Sequence, residues 1–275
     1  FESYENLIEF HIQNNTDALV PVGTTGESAT LNHNEHCKVV SFVVEKVAKR
    51  IPVIAGTGAN STSEAIELTK YAYEAGVDGC LSVTPYYNKP TQEGLYQHYK
   101  KINDNVGIPI IIYNIPSRSV IDMTVETMSR LFELKNILGV KDATGDLNRV
   151  DQQLKVMGSD FVQLTGEDNN ALEFNKRGGS GCISVTANIA AQLCSEFQAA
   201  SLQKNNSDLL LKAKKINDLL TPLHKALFIE SNPSPVKYAA SLLKLSTDDV
   251  RLPLVKVTDS TKNAVKDALL FAKLL

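Results

Sequence analysis

Ile137-Leu138-Gly139-Val140-Lys141-Asp142-Ala143-Thr144-Gly145 is a short apolar run, bounded by Asn136 and Gly145, with one lysine at its C-terminal end. Runs of this kind read as buried strands. An ammonium at the mouth of an apolar strand loses hydration, which disfavours its charged form and leaves a free amine that can attack a carbonyl. Alone, Lys141 is better read as a strand-end lysine that snorkels to solvent. The ends of the other strands decide between these readings.

Six more apolar segments surround this one: Ala18 to Val22, Pro52 to Ala55, Gly79 to Val83, Pro109 to Tyr113, Phe161 to Thr165 and Gly181 to Val185. Amphipathic stretches separate them, such as Asn34 to Lys49, Gln92 to Asn103, Val125 to Leu134 and Leu147 to Met157. Ser61 with Glu64 predicts a capping box for the helix running to Glu74. From Ile189 to the end the pattern is helical, with breaks expected at Pro222, Pro233 and Pro253. Near-continuously apolar strands alternating with helices predict a parallel sheet covered on both faces. Seven strands is one short of a (β/α)8 TIM barrel, and the chain opens inside a helix (Tyr4, Leu7, Ile8, Ile12). The expectation is therefore an α/β (β/α)8 barrel over residues 1–204, its first strand missing from this chain, with a C-terminal helical extension over 205–275. An open doubly wound sheet is the alternative; Gly23-Thr24-Thr25-Gly26 is not the dinucleotide fingerprint it would carry.

Composition narrows the function. The chain has 275 residues, is 43% apolar and 21% charged, and carries a net charge of −3. That balance leaves no basic footprint for nucleic acid and no apolar run long enough to span a membrane. Cys37, Cys80, Cys182 and Cys194 are scattered, as expected of reduced thiols in a cytoplasmic protein.

A barrel carries its active site on the loops after its strands. Those positions hold Thr24, Thr25, Thr57, Tyr86, Tyr87, Tyr113, Arg118, Lys141, Thr165-Gly166-Glu167-Asp168 and Ile183-Ser184. The set offers a nucleophilic lysine, phenols and hydroxyls, and an arginine fork for a carboxylate, with no metal-ligand spacing and no cofactor motif. It reads as proton transfer around an imine. His33 and His36 lie three residues apart near a helix start and read best as a solvated helix face.

The motifs Gly23-Thr24-Thr25-Gly26-Glu27-Ser28, Ile54-Ala55-Gly56-Thr57-Gly58, Thr84-Pro85-Tyr86-Tyr87-Asn88, Tyr113-Asn114-Ile115-Pro116-Ser117-Arg118 and Gly139 to Gly145 resemble the dihydrodipicolinate synthases. These belong to the N-acetylneuraminate lyase family of class I aldolases. The resemblance continues through Asn232-Pro233-Ser234-Pro235-Val236-Lys237 to the last helix. It implies condensation of pyruvate with L-aspartate 4-semialdehyde in diaminopimelate and lysine biosynthesis, without a cofactor. It implies Lys141 as Schiff-base former, Tyr113 as acid/base, and Thr24 and Tyr87 as the rest of a proton relay. Thr25, Arg118, Ile183 and Gly166 would contact substrate. Arg118 and the Thr-Thr pair favour the synthase over sugar-acid aldolases of the family. The resemblance further implies that Tyr87 reaches into a neighbouring subunit of a homotetramer built as a dimer of dimers. It also implies that Ser28, Ala29, His33, His36, Asn60, Glu64 and Tyr86 bind L-lysine as an inhibitor. Another pyruvate-dependent aldolase, or a truncated non-catalytic relative that only binds, remains an alternative.

Overall fold

The computed structural model describes residues 1–275. Aliphatic runs fenced by turn residues form a single parallel sheet in chain order: β1 (Ile54–Gly56), β2 (Gly79–Val83), β3 (Ile110–Asn114), β4 (Ile137–Asp142), β5 (Val162–Thr165) and β6 (Gly181–Cys182). Helices connect successive strands, because parallel neighbours need a crossover. The result is the expected α/β barrel architecture. Alternation along each strand sorts the side chains into two cores. Ile110, Ile112 and Val140 face the helices with Leu95, Tyr99 and Met128. Leu81, Ile111 and Tyr113 fill the interior with Ala143 and Ile115. Register places Val83, Tyr113, Lys141 and Leu164 side by side across β2 to β5, which puts the lysine in the interior set at the C-terminal end.

The segment Ala18 to Val22 is not a full strand. It joins β1 through one parallel bridge, Leu19 to Val53. Leu19 N–H donates to Pro52 O at 3.0 Å and Ile54 N–H to Leu19 O at 2.8 Å. Gly56 N–H reaches Pro21 O at 3.0 Å, but position 21 has no N–H to return the bond, so the ladder stops. Val22 then turns with φ +50°. β6 is likewise shorter than expected, ending at Cys182. The Asp168 carboxylate takes the N–H groups of Val185 and Thr186 at 2.9 and 3.2 Å, and pulls the chain out of the sheet.

Two helix-end expectations also change. Ser61 is an N-cap without a capping bond, its hydroxyl instead meeting Ser63 Oγ at 2.8 Å. The capping box forms at Asn32 and Glu35, where Glu35 N–H donates to Asn32 Oδ1 at 2.9 Å and Asn32 N–H to Glu35 Oε2 at 3.0 Å. Pro222 does not break its helix, which runs Ser207–Ala226. Thr221 Oγ1 donates to Asn217 O at 2.7 Å on the turn where proline offers no N–H.

The C-terminal helices Ser234–Leu242 and Asp259–Phe271 pack with Ser207–Ala226 onto the helix Ala187–Ser201, sharing a core of Ala190, Phe197, Leu220, Leu223, Val236 and Leu269. No helix is long and apolar enough to cross a membrane.

Candidate active site

Lys141 is half-buried, and its Nζ lies 4.2 Å from the centre of the Tyr113 ring. Adjacent strands in register create this pairing, since interior side chains at the same level must touch. Room for the lysine comes from Gly166. A Cβ there would stand 3.0 Å from Lys141 Cε and 2.9 Å from Ala143 Cβ, so any larger residue displaces the amine. The neighbouring Asp142 faces the opposite way, as strand alternation requires. Arg149 Nε donates to its Oδ2 at 2.9 Å, and Thr144 N–H and Oγ1 donate to its Oδ1 at 2.9 and 2.6 Å. Its charge is therefore consumed outside the barrel.

A cavity of about 880 Å³ includes this mouth, lined among others by Thr24, Thr25, Tyr113, Arg118, Lys141 and Ile183. Asn232 Nδ2 donates to Thr25 Oγ1 at 3.0 Å, which leaves the threonine O–H free to donate to a bound carboxylate. Asn232 O accepts from Arg118 Nη2 at 3.3 Å. The exposed guanidinium keeps its other donors for a ligand. Glu27, in left-handed backbone at φ +55°, is gripped by Lys237 and by Arg251 N–H at 2.9 Å. These bonds hold the Gly23 to Ser28 loop over the cavity. Ile183 N–H donates to Thr165 O at 2.9 Å, and Asp168 braces the following turn through Ser184 Oγ at 2.5 Å.

The structure thus gathers Lys141, Tyr113, Thr24, Thr25, Arg118, Gly166 and Ile183 at one mouth. It does not bring Tyr87 there. Tyr87 is 89% exposed, with φ +69°, outside the cavity lining. Left-handed backbone is costly for an aromatic residue and marks a loop shaped for some purpose other than its own packing. Asn60 Oδ1 accepts from Tyr86 N–H at 3.1 Å and Asn88 Nδ2 donates to Asn60 O at 3.1 Å, so Asn60 shapes that loop.

Of the histidine pair, only His33 stays on the solvated face. His36 is buried, with Nε2 2.9 Å from Gly56 O. It shares the inward face of its helix with Val40 and Val43, which corrects the solvated-face reading. Burial pushes its imidazole below the ordinary value, against the upward pull of the Gly56 carbonyl. His33 and Glu64 lie close enough to act on it electrostatically, but no three His, Cys, Asp or Glu side chains are grouped so as to hold a metal ion. Ser28 and Ala29 occupy the short turn Ser28–Thr30 just before this helix.

A model of the dihydrodipicolinate synthetase family matches residues 1–272. The chain belongs to the dihydrodipicolinate synthetase family. It is 67% identical over 274 residues to the 4-hydroxy-tetrahydrodipicolinate synthase of Pelagibacter ubique (strain HTCC1062), covering 100% of this chain and 93% of the relative. The crystal structure of the chloride-inhibited dihydrodipicolinate synthase of Acinetobacter baumannii, complexed with pyruvate, is similar at TM-score 0.96 and 46% identity, over 100% of this chain and 93% of that one. The enzyme from Cyanidioschyzon merolae with lysine bound is similar at TM-score 0.95 and 36% identity, over 100% and 92%. Within this family frame, the residues that sequence reasoning missed are Asn232 and Lys237, whose segment was legible but whose contacts with Thr25 and Glu27 were not. The separations of 207 and 210 residues leave no local signal.

Proposed function

We propose that this chain performs the 4-hydroxy-tetrahydrodipicolinate synthase reaction, joining pyruvate to L-aspartate 4-semialdehyde through an imine on Lys141. The observation that carries this reading is the Lys141 amine held over the Tyr113 ring at the cavity mouth. The amine adds to the pyruvate ketone, and Tyr113 hands a proton to the departing hydroxyl as water leaves. Thr25 holds the pyruvate carboxylate with its free O–H and backbone N–H, and Ile183 contributes a main-chain contact. Loss of a C3 proton gives an enamine that attacks the aldehyde, whose own carboxylate sits on Arg118 beside Gly166. Thr24 relays protons, completed by Tyr87 of a second copy. The exposure and left-handed backbone of Tyr87 support that trans arrangement, and with it a homodimer that pairs into a tetramer. Four free cysteines suit the reducing cytoplasm.

Incubation with pyruvate and borohydride, followed by peptide mass mapping, is expected to place a reduced adduct on Lys141. An adduct on another lysine refutes the reading. Arg118→Ala is expected to lower kcat/KM for the semialdehyde by about 10²-fold or more while leaving the pyruvate adduct intact, because a charge-assisted fork is lost from one substrate only. Equal loss of both steps would remove Arg118 from this role.

Ser28, Ala29, His33, His36, Asn60, Glu64 and Tyr86 are proposed to bind L-lysine. A carboxylate, amide and imidazole set suits a ligand with both ammonium and carboxylate groups, and the lysine-bound relative supports the reading. Millimolar L-lysine should reduce the initial rate; a rate unchanged by it would sink this assignment.

A further inference from the structure

No hydrogen bond or ion pair within the chain fixes the Lys141 amine, which rests 4.2 Å from the centre of the Tyr113 ring, and none fixes the Tyr113 hydroxyl. Their separation is therefore set by the main chain at the C-terminal ends of β3 and β4, where strands fray most readily. The next residue on each strand points outward, and there the two ends are tied together. Asn114 is fully buried; its Nδ2 donates to Asp122 Oδ1 at 2.8 Å, and its Oδ1 accepts Met123 N–H at 3.0 Å. Asp142 is buried too, and its Oδ2 accepts from Arg149 Nε at 2.9 Å. Arg149 comes from the first turn of the helix Asn148–Met157 and is itself 8% exposed. Its Nη2 donates to Met123 O at 2.7 Å, and its Nη1 lies 3.5 Å from Asp122 Oδ1. The guanidinium thus closes a ring through Asp122-Met123 that joins the residue after Tyr113 to the residue after Lys141.

We infer that Arg149 is a positioning residue for the imine chemistry: by locking the ends of β3 and β4 from outside the barrel, it holds the Lys141 amine at the Tyr113 ring. The inference rests on the function proposed above. Arg149 does not line the cavity, so it acts only through the strands. A buried ion pair adds little net stability over apolar side chains of similar volume, because both charges give up water. What it adds is direction. A planar guanidinium, with its donors in a rigid fork, meets the Asp142 carboxylate and the Met123 carbonyl together in one orientation. Asp142 and Lys141 leave the same stretch of backbone on opposite faces, so any roll of the strand that moves one swings the other. Amine addition needs its reacting atoms aligned, and a displacement of about 1 Å can cost about 10²-fold in rate. A lysine at position 149 would keep the charge but not the fork, and could not span both partners.

The test is the rate at which borohydride traps the pyruvate adduct, followed against pyruvate concentration at a temperature where circular dichroism shows each protein folded. Arg149→Lys is expected to lower the maximal rate about 10-fold, and the double variant Asp142→Leu/Arg149→Met about 10²-fold. Half-saturating pyruvate should stay within about twofold of the parent in both, because the pyruvate carboxylate is held elsewhere, at Thr25. The double variant exchanges the buried pair for apolar volume and should melt close to the parent, so a purely structural role would leave its rate unchanged. A folded double variant with the parental maximal rate overturns the assignment, as does a loss carried by half-saturating pyruvate alone. Asp122→Ala, at a half-exposed side chain, opens the same ring and should also lower the maximal rate. Where the double variant does not fold, a parental maximal rate in Asp122→Ala overturns the assignment instead. If the parent traps no pyruvate on Lys141, the function proposed above fails first, and this assignment fails with it.

Discussion

Lys141→Ala is expected to abolish the borohydride-reducible pyruvate adduct and to lower kcat by at least about 10⁴-fold, as removal of a covalent nucleophile does elsewhere. The size of the loss follows from chemistry: without an imine there is no electron sink for the C3 carbanion, and no other lysine lines the cavity beside Tyr113. Lys237 also lines the cavity, but its amine is committed to Glu27 and to Asp249 O at 2.7 Å. Lys141→Arg should be as inactive as the alanine variant, since a guanidinium stays protonated and is no nucleophile at neutral pH. Both variants should melt within a few degrees of the parent, because Lys141 is half-buried and belongs to neither apolar core. Residual turnover above about one per cent of the parent would show that the amine is not the covalent centre.

Gly139→Ala should be the most damaging single methyl group for the fold. A Cβ at position 139 would stand 1.9 Å from Val162 O and 2.7 Å from Val162 C, on the strand that pairs with it. The atom it meets is main chain, so no side-chain rotation relieves the clash. Either β4 and β5 separate or β4 shifts, and the layer that aligns Tyr113, Lys141 and Leu164 is lost. Overpacking of this kind costs about 3 kcal/mol, the upper end of its usual range. For a chain of this size that corresponds to a melting point lower by roughly 10 °C, together with impaired adduct formation at temperatures where the parent is stable. A melting point within about 2 °C of the parent would show that the β4–β5 spacing yields easily.

The barrel's order was readable because each strand announces itself locally, through an apolar run and its flanking turn residues. Lys141 and Tyr113 followed from it, since both end interior-facing runs. What escaped the sequence depends on atoms far away along the chain. Pro21 looks like a strand residue until the missing donor is set against Gly56, which does bond to it. Ser61 and Glu64 have the spacing of a capping box, yet Ser61 turns to Ser63, while the weaker-looking Asn32 and Glu35 form the box. Glu35 is also clamped by Arg251, through Nη1 at 2.7 Å and Nη2 at 2.9 Å, and that partner is 216 residues away. His36, beside His33 at a helix start, looks solvated, yet it lies on the face of Val40 and Val43, which point inward.

The bonds from Asn232, Lys237 and Arg251 to the loop around Thr25 and Glu27 bear on biosynthesis. A polypeptide emerging from the ribosome has made Thr25 first, Lys141 next and Asn232 much later. While it is still being translated, it holds the amine and the phenol but not yet the clasp that steadies the Gly23 to Ser28 loop. On the roles proposed above, only the finished chain holds that loop ready for a carboxylate.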